Sequence, residues 1–281
     1  MVSAPSSSVV SARPIEGTEK GVKVVEGQSL RDLHSTAPAV VRAAALLEVL
    51  GQTQAGPMGL SELARKLDLP KSTIANLCSA LEQARLVRKV DGRYELGLRV
   101  LELAAGYTSG DVISRFRELA KGLRWASQET INFATLEGTD IVFLARHEGT
   151  QPIRLAPGIG RRMPATCNAL GKAILAAMDP QEVAARFSDP SAFPILTPHS
   201  VSNLAELNDD LEATRERGYA DDREENSIGL VCYSVPVPQT TPGGQLLAVA
   251  VALLVARESD ELREKLLGEL RQLAADLARL G

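Results

Sequence analysis

The chain has 281 residues, of which 44% are hydrophobic and 23% charged, as expected for a globular protein with two domains of ordinary size. Its longest apolar run, residues 246–256, is well short of the roughly 20 residues that a membrane helix needs, so we expect no membrane partner. The net charge of −4 argues against nucleic-acid binding by the chain as a whole, but residues 37–105 carry a net charge of +2 and the residues after 105 carry −6.

The first elements in the chain are a tail and a helix. Residues 1–36 mix Ser, Pro, Gly and charged residues without periodicity, which predicts a disordered tail. The tail has no Lys or Arg before Arg13, so it makes a poor signal peptide, and we expect a cytoplasmic protein. Residues 38–50 are rich in Ala and Leu and predict a helix that ends at Gly51.

Residues 60–83 predict two short helices around a tight turn. Apolar residues recur at i, i+3, i+4 and i+7 in residues 60–67, and Pro70 breaks the pattern. A second helix is predicted to begin near Lys71, with Ser72 or Thr73 capping its first amides. Its apolar positions are Ile74, Leu77, Cys78 and Leu81. Its opposite face carries Ser72, Thr73, Ala75, Asn76, Ser79 and Gln83. Small and amide side chains at the start of a projecting helix are suited to reading base edges in a major groove.

A β-hairpin follows the second helix. The pair Asp91-Gly92 lies between residues 86–90 and 93–96, and this is a strong signal for a two-residue turn. Arg88, Lys89 and Arg93 place positive charge on the hairpin, as contact with phosphate requires. The stretch therefore predicts a winged helix-turn-helix domain at residues 37–96, which we call the head.

Residues 97–106 predict a short connecting helix with Leu98, Leu101 and Ala105 on one side. An exposed apolar stripe favours contact with a second copy of the chain. We assign residues 97–110 to this linker and residues 111–281 to a second domain, which we call the body.

The body alternates strand pairs with helices. Helices are predicted at residues 112–128, 169–178, 181–187, 204–217 and 260–280. Strands are predicted at residues 131–136, 141–146, 153–155, 231–237 and 246–256. The last strand is apolar on both faces, so it is expected at the centre of a sheet covered on both sides. This order predicts an α+β fold, an antiparallel sheet with helices against it.

The sequence does not favour an enzyme. The histidines are not spaced as a metal pair, and the G-x-S-x-G motif of a nucleophile elbow does not occur. Gly158-Ile159-Gly160 lacks the third glycine of a dinucleotide-binding loop, and Gly171-Lys172 lacks the rest of a phosphate-binding loop. Three distant cysteines imply no disulfide framework. We therefore predict no catalytic residues, no cofactor and no metal.

Four stretches together resemble the IclR family of bacterial transcriptional regulators. They are LSELARKLDLPKSTIANL, YELGLRVLELA, PATCNALGKAILA and RERGYADDREENSIGLVCYSVPV. The resemblance covers roughly residues 38–280. It implies a winged-helix head, a GAF-like effector-binding domain, and homodimers or homotetramers bound to double-stranded operator DNA.

In the head, Lys71, Ser72 and Thr73 match the start of the family's recognition helix, and Asn76 stands where many members have arginine. Arginine suits guanine O6 and N7, whereas asparagine suits adenine N6 and N7, so Asn76 predicts an adenine in the operator. The alternative for Asn76 is a solvated polar residue. The predicted DNA-binding residues are Lys71, Ser72, Thr73, Ala75, Asn76, Ser79, Arg88, Lys89 and Arg93.

In the body, the resemblance implies a small effector, often a carboxylate, beside the helix that begins at Ala169. Free amides of Ala169 and Leu170 would favour an anion, and Gly171 would allow close approach of the backbone. By position, Asp222 and Cys232 match residues that approach the effector in similar proteins. The alternatives are a solvated charge run for Asp222 and a buried small hydrophobe for Cys232.

Ala250 and Ala252 fall where some family members that bind small keto acids have serines. Without those hydroxyls the pocket is more apolar, which favours a larger or aromatic acid. The resemblance implies a ligand-responsive repressor of catabolic genes, and these residues predict that its effector is a small organic acid. The alternative is a DNA-binding protein whose body only oligomerises.

Overall fold

The computed structural model describes residues 37–52, 56–108, 111–150, 158–238 and 244–279. The predicted disordered tail, residues 1–36, and the predicted strand at residues 153–155 lie outside the described residues.

Three helices of the head enclose one apolar core. These helices, α1 (Pro38–Gly51), α2 (Leu60–Leu67) and α3 (Lys71–Gln83), lie where the apolar periodicity predicted them. Each contributes its apolar stripe to the core, because burial of that stripe stabilises short helices that are marginal alone. The buried side chains include Leu46, Leu50, Leu63, Leu67, Ile74, Cys78 and Leu81.

The predicted cap of α3 is wrong. Pro70 is the residue that precedes the helix, and no side chain caps its first amides. Ser72 and Thr73 lie one and two residues inside the helix from Lys71, so their hydroxyls are too far along the chain to act as caps. The side chain of Ser72 is consequently exposed and that of Thr73 is half-buried.

The wing is a two-stranded antiparallel sheet of β1 (Val87–Val90) and β2 (Arg93–Leu96). Asp91 and Gly92 both have positive φ, 50° and 78°, as the predicted two-residue turn requires. Met58 pairs with Tyr94, so the loop before α2 adds to the outer edge of the wing. This contact fixes the wing to the helical core.

The connecting helix α4 (Arg99–Thr108) follows the wing, as predicted. Leu98 and Leu101 are 64% and 67% exposed, and Leu103 and Ala105 are also exposed. The apolar stripe that the sequence predicted is therefore present on the surface of the chain.

The first helix of the body is shorter than predicted. α5 (Asp111–Gly122) ends at Gly122, and residues 126–128 form a separate 3₁₀ turn. The carboxylate of Glu269 accepts hydrogen bonds from the amides of Arg124, Trp125 and Ala126. A residue distant in the sequence therefore satisfies the amides of the next turn, which the helical periodicity of residues 112–128 could not reveal.

The body contains a six-stranded antiparallel sheet. Its strands are β3 (Thr130–Glu137), β4 (Asp140–His147), β5 (Arg162–Pro164), β6 (Ala220–Arg223), β7 (Leu230–Pro236) and β8 (Leu247–Leu254). The order across the sheet is β5-β4-β3-β8-β7-β6. The prediction that β8 is central is confirmed. The prediction missed β5 and β6, which are short edge strands and need no apolar pattern.

Helices cover both faces of this sheet. α5 and α9 (Asp260–Ala278) pack on one face, whereas α6 (Ala169–Ala176), α7 (Pro180–Arg186) and α8 (Leu204–Arg217) form the core of the other. β8 supplies Val249 and Val251 to the first face and Ala248 and Ala250 to the second. The α+β architecture is thus confirmed. No helix among the described residues is long and apolar enough to cross a membrane.

Candidate functional site

The exposed face of α3 carries the residues that the sequence predicted for DNA contact. Lys71, Ser72, Asn76 and Ser79 are exposed, and Thr73 and Ala75 are half-buried. The opposite face is held in the core by Ile74, Cys78 and Leu81. α3 therefore presents short polar side chains and one lysine to the outside, which is the geometry of a helix that enters a major groove.

The three basic residues of the wing differ in their surroundings. Arg88 Nε lies 2.7 Å from Glu95 Oε1, and Arg93 Nη2 lies 3.0 Å from Glu62 Oε2. Arg93 Nε also donates to the carbonyl oxygen of Pro57 at 2.6 Å. Lys89, in contrast, lies over the ring of Tyr94, 5.5 Å from its centroid. Of the three, Lys89 is the cation whose charge is not matched by a described carboxylate.

In the body, the start of α6 is already capped. The side chain of Asn168 accepts a hydrogen bond from the amide of Leu170 at 3.0 Å. The prediction that Leu170 presents a free amide is therefore wrong, because the preceding residue satisfies it. The side chains of residues 165–175 are buried, so this helix start lies inside the body rather than at its surface.

Gly171 was predicted to allow close approach of an effector to the backbone. In the structure it is the backbone of Ala165 that lies close to Gly171. A Cβ atom at Gly171 would lie 2.3 Å from the carbonyl oxygen of Ala165 and 2.4 Å from its Cα. The missing side chain lets α6 pack directly on the 3₁₀ turn of residues 165–167. That contact positions Cys167 and Asn168 at the start of the helix.

A buried ion cluster lies beside α6. Lys172 is 1% exposed, and its Nζ is 2.6 Å from both Asp210 Oδ2 and Glu225 Oε1. Burial alone would lower the pKa of Lys172, but Glu225 and Asp210 raise it above its ordinary value. The ammonium group is therefore charged, and it links α6 to α8 and to the segment after β6.

Asp222 lies next to this cluster and is 3% exposed. Its Oδ1 accepts hydrogen bonds from the amides of Glu225 and Asn226 at 2.8 and 3.3 Å. Burial, followed by repulsion from Glu225, raises the pKa of Asp222 from 3.8 to about 7. Asp222 is thus a buried carboxyl group that ionises far less readily than an exposed aspartate. The alternative of a solvated charge run is wrong for this residue.

The two cysteines near Asp222 are not nucleophiles. Burial and the neighbouring carboxylates of Asp222 and Glu225 raise the pKa of Cys167 to about 12 and that of Cys232 well above its ordinary value. Both thiols remain protonated at neutral pH. Among the described residues, no group of His, Cys, Asp and Glu side chains is placed to hold a metal ion.

The strand register brings the predicted effector residues onto one face of the sheet. Asp222 pairs with Cys232, and Cys232 pairs with Ala252. In the neighbouring row, Ala250 pairs with Ser234 on one side and with Asn132 on the other. Directly paired residues point to the same side, and Ala250 faces α6. The two rows therefore form a floor of small and polar side chains under α6.

Four further residues of this candidate site were not predicted from the sequence, namely Asn132, Lys172, Asp210 and Glu225. A signal existed for Lys172, which is the one charged residue in the apolar helix ALGKAILA. A lysine on a helix that is otherwise apolar is expected to have a buried partner. No pattern in the sequence marks Asn132.

A head with a projecting helix and a wing, joined to a body with a small-residue floor and a buried carboxyl group, defines the class of DNA-binding regulators that have a separate effector domain. The model of the bacterial transcriptional regulator IclR C-terminal domain matches residues 105–279, and that of the IclR helix-turn-helix domain matches residues 39–91. The chain belongs to the IclR family, as the sequence motifs predicted. It is a transcriptional regulator rather than an enzyme.

Relatives of known sequence and structure agree with this assignment. The HTH-type transcriptional regulator Rv1719 of Mycobacterium tuberculosis is 33% identical over 76% of this chain and 88% of its own. The HTH-type transcriptional repressor AllR of Escherichia coli is 28% identical over 90% of this chain and 92% of its own. An IclR homolog from Microbacterium hydrocarbonoxydans, solved in complex with 4-hydroxybenzoate, shares the fold with a TM-score of 0.71. It is 20% identical, and the match covers 86% of this chain and 100% of that one.

Proposed function

We propose that this regulator is an effector-responsive repressor of catabolic genes, and that its effector is a small organic acid with an aromatic ring. Residues 37–96 bind the operator, residues 97–110 link the two parts, and residues 111–281 bind the effector. The observation that carries the proposal is the apolar pair Ala250 and Ala252 on the floor, beside the carboxyl group of Asp222, whose pKa is about 7. Two relatives support it: AllR is a repressor, and the Microbacterium homolog holds 4-hydroxybenzoate.

For the operator, we propose that α3 enters the major groove and that the wing contacts phosphate. Lys71, Ser72, Thr73, Ala75, Asn76 and Ser79 lie on the face of α3 that would meet the bases. On the wing, Arg88, Lys89 and Arg93 would meet the backbone. Lys89 would contribute most, because Arg88 and Arg93 already have carboxylate partners. The exposed Leu98, Leu101 and Leu103 support a homodimer or homotetramer.

For the effector, we propose binding beside the start of α6, near Ala169, Leu170 and Gly171, with Asp222 and Cys232 at one end. A protonated Asp222 can donate a hydrogen bond to the carboxylate of an acid, whereas an ionised Asp222 would repel it. With alanine at positions 250 and 252, β8 offers no hydroxyl to a two-carbon acid but accepts the face of a ring.

A mobility-shift experiment tests the proposal. A DNA fragment from upstream of the protein's own gene is titrated with the full chain, alone and with each of benzoate, 4-hydroxybenzoate, glyoxylate and pyruvate. We expect a shifted band that an aromatic acid weakens at least tenfold. Binding that no metabolite alters would support the alternative, a body that only oligomerises. Tight calorimetric binding of glyoxylate or pyruvate without binding of aromatic acids would refute the choice of effector.

Asn76 predicts the base preference of the head. In a selection of binding sites from random DNA, we expect the wild-type chain to enrich adenine at the position that Asn76 faces. Asn76→Arg should replace it with guanine, because a bidentate contact discriminates by about 1–3 kcal/mol. The matched control Gln83→Arg changes the last residue of the same helix and should leave that position unaltered. An unchanged base preference in Asn76→Arg would show that the side chain is only solvated.

Asp222 predicts a pH dependence of effector binding. If the bound acid needs the protonated carboxyl group, its affinity should fall roughly tenfold between pH 6 and pH 8, as the group with pKa of about 7 ionises. Asp222→Asn keeps an oxygen that accepts hydrogen bonds from the amides of Glu225 and Asn226 but has no group that ionises. The affinity of this variant for the acid should therefore not change over this pH range. Calorimetric titration of 4-hydroxybenzoate at both values measures the effect. Parallel pH profiles in the two proteins would contradict it.

The raised pKa of Asp222 also predicts how the stability of the folded protein changes with pH. The folded protein binds the Asp222 proton more tightly than the unfolded chain, whose pKa is 3.8. This contribution to stability is complete below pH 3.8 and is lost as the pH rises through about 7. The difference in Tm between Asp222→Asn and the wild-type protein should therefore shift in favour of the variant as the pH rises from 5 to 8. Thermal unfolding of both proteins at each pH measures this change.

A further inference from the structure

Asn132 is a buried polar residue of the candidate site to which the proposed function assigns no role. It lies on β3 with 5% of its surface exposed, and its Oδ1 has no hydrogen-bond partner among the described residues. A buried amide oxygen in a folded protein is normally paired, and an exception calls for a specific explanation. Another polar side chain of its row, Ser234, is satisfied, because its hydroxyl donates to the carbonyl oxygen of Val249 at 2.9 Å.

The strand register places Asn132 on the floor under α6. Asn132 pairs with Ala250, and Ala250 pairs with Ser234. Asp222 lies in the next row, three strands away, across Cys232 and Ala252. Between them, β8 contributes only the side chains of the two alanines. Asn132 and Asp222 therefore stand at opposite ends of one surface.

The separation of these ends selects the size of the ligand. Three strand spacings of about 4.8 Å, together with the offset of about 7 Å between the two rows, put the backbones of Asn132 and Asp222 about 16 Å apart. A benzoic acid with a polar substituent can bridge this distance when each side chain leans inward and makes one hydrogen bond to it. A two-carbon or three-carbon acid does not reach from one end to the other.

We propose that Asn132 determines effector specificity by accepting a hydrogen bond from a hydroxyl or amino group on the ring, at the end remote from the carboxylate. The inference rests on the proposed function, since it assumes that an aromatic acid occupies the floor with its carboxylate toward Asp222. It adds that the acid carries a donor, because Oδ1 is an acceptor that lacks one. An unsubstituted ring would leave the amide unpaired and bind more weakly.

Calorimetric titration of the full chain at pH 6 tests the proposal with benzoate, 3-hydroxybenzoate and 4-hydroxybenzoate. We expect the wild-type protein to bind at least one hydroxybenzoate ten or more times more tightly than benzoate. In Asn132→Leu this ratio should fall to about one, with benzoate bound as tightly as before or more so. Asn132→Asp keeps an acceptor at the same place, so it should retain the preference for the hydroxyl group even if the leucine variant does not fold.

Thr135→Val is the matched control, since it removes another buried polar group of β3 whose hydroxyl is already paired with the carbonyl oxygen of Leu246. It should leave the ratio unchanged. Equal binding of benzoate and both hydroxybenzoates by the wild-type protein, or an unchanged ratio in Asn132→Leu, would overturn the role of Asn132 and leave the aromatic effector standing. Binding of none of the three acids would overturn both.

Discussion

Replacing Lys172 with methionine is expected to lower the free energy of unfolding of the body by about 3–5 kcal/mol. The ammonium group is almost completely buried and lies 2.6 Å from one oxygen of Asp210 and from one oxygen of Glu225. Methionine has a similar length and fills the same space, but it leaves both carboxylates without their cation. Asp222 would then face an even more negative surrounding. Urea unfolding at pH 7, followed by circular dichroism, measures the loss.

Two further variants separate this effect from a simple loss of packing. In Lys172→Met/Glu225→Gln the charge of Glu225 is also removed, so part of the lost stability should return. Lys265→Met is the matched control, because its ammonium group lies at the same 2.6 Å from Glu261 but in a pair whose side chains are 37% and 81% exposed. Lys265 also lies over the ring of Trp125, 4.4 Å from its centroid, so this variant loses that contact as well as an exposed ion pair. Its cost should still be several times smaller than that of Lys172→Met. Equal losses at the two positions would show that the burial of Lys172 has no energetic weight.

The head could be predicted from the sequence because its signals are local. Pro70 separates two helices, and Asp91-Gly92 adopts the two positive φ values that close the hairpin. Each of these rules involves residues within a few positions of one another, so the tertiary fold cannot easily override it. The predicted caps at Ser72 and Thr73 were wrong because the helix already begins at Lys71. A sequence pattern does not locate the first residue of a helix to within one position.

The body was predicted less completely because its polar groups are satisfied by distant residues. The sequence around Asp222 reads as a solvated charge run, yet Glu225 pairs with Lys172, which lies more than fifty positions earlier. α5 ends at Gly122, earlier than predicted, because the carboxylate of Glu269 accepts hydrogen bonds from the amides that follow. A pattern read along the chain contains no information about such partners. The strand register, which places Asn132 beside Ala250, is likewise visible only in the fold.

The predicted effector residues were likewise correct where they depend on strand pattern and wrong where they depend on packing. Asp222, Cys232, Ala250 and Ala252 do share one face of the sheet, because paired residues of adjacent strands, and residues two apart on one strand, point to the same side. The expected free amide of Leu170 is occupied by Asn168, and the expected approach of a ligand to Gly171 is instead that of Ala165. Position in the chain predicted which residues share this face, and only the packing shows which of their atoms already have partners.

Gly171→Ala is the second substitution for which we expect a large effect. The new Cβ would lie 2.3 Å from the carbonyl oxygen of Ala165 and 2.4 Å from its Cα, so backbone rather than a flexible side chain must move. Overpacking of this kind costs about 1–3 kcal/mol or more, which exceeds the gain of up to about 1 kcal/mol from replacing glycine in a helix. The 3₁₀ turn that must shift also carries Cys167, which lies near Asp222. Binding of 4-hydroxybenzoate should therefore weaken at least tenfold.

The same substitution in another helix provides the control. Gly268 lies in α9, and a Cβ there would meet nothing within 4 Å. Gly268→Ala should raise the free energy of unfolding by about 0.5–1 kcal/mol, since only the helix preference changes. Opposite signs in thermal unfolding, with effector binding altered only in Gly171→Ala, are expected if the contact between α6 and Ala165 positions the site. A stabilising Gly171→Ala with normal effector binding would mean that the turn accommodates a methyl group, and the site would not depend on this contact.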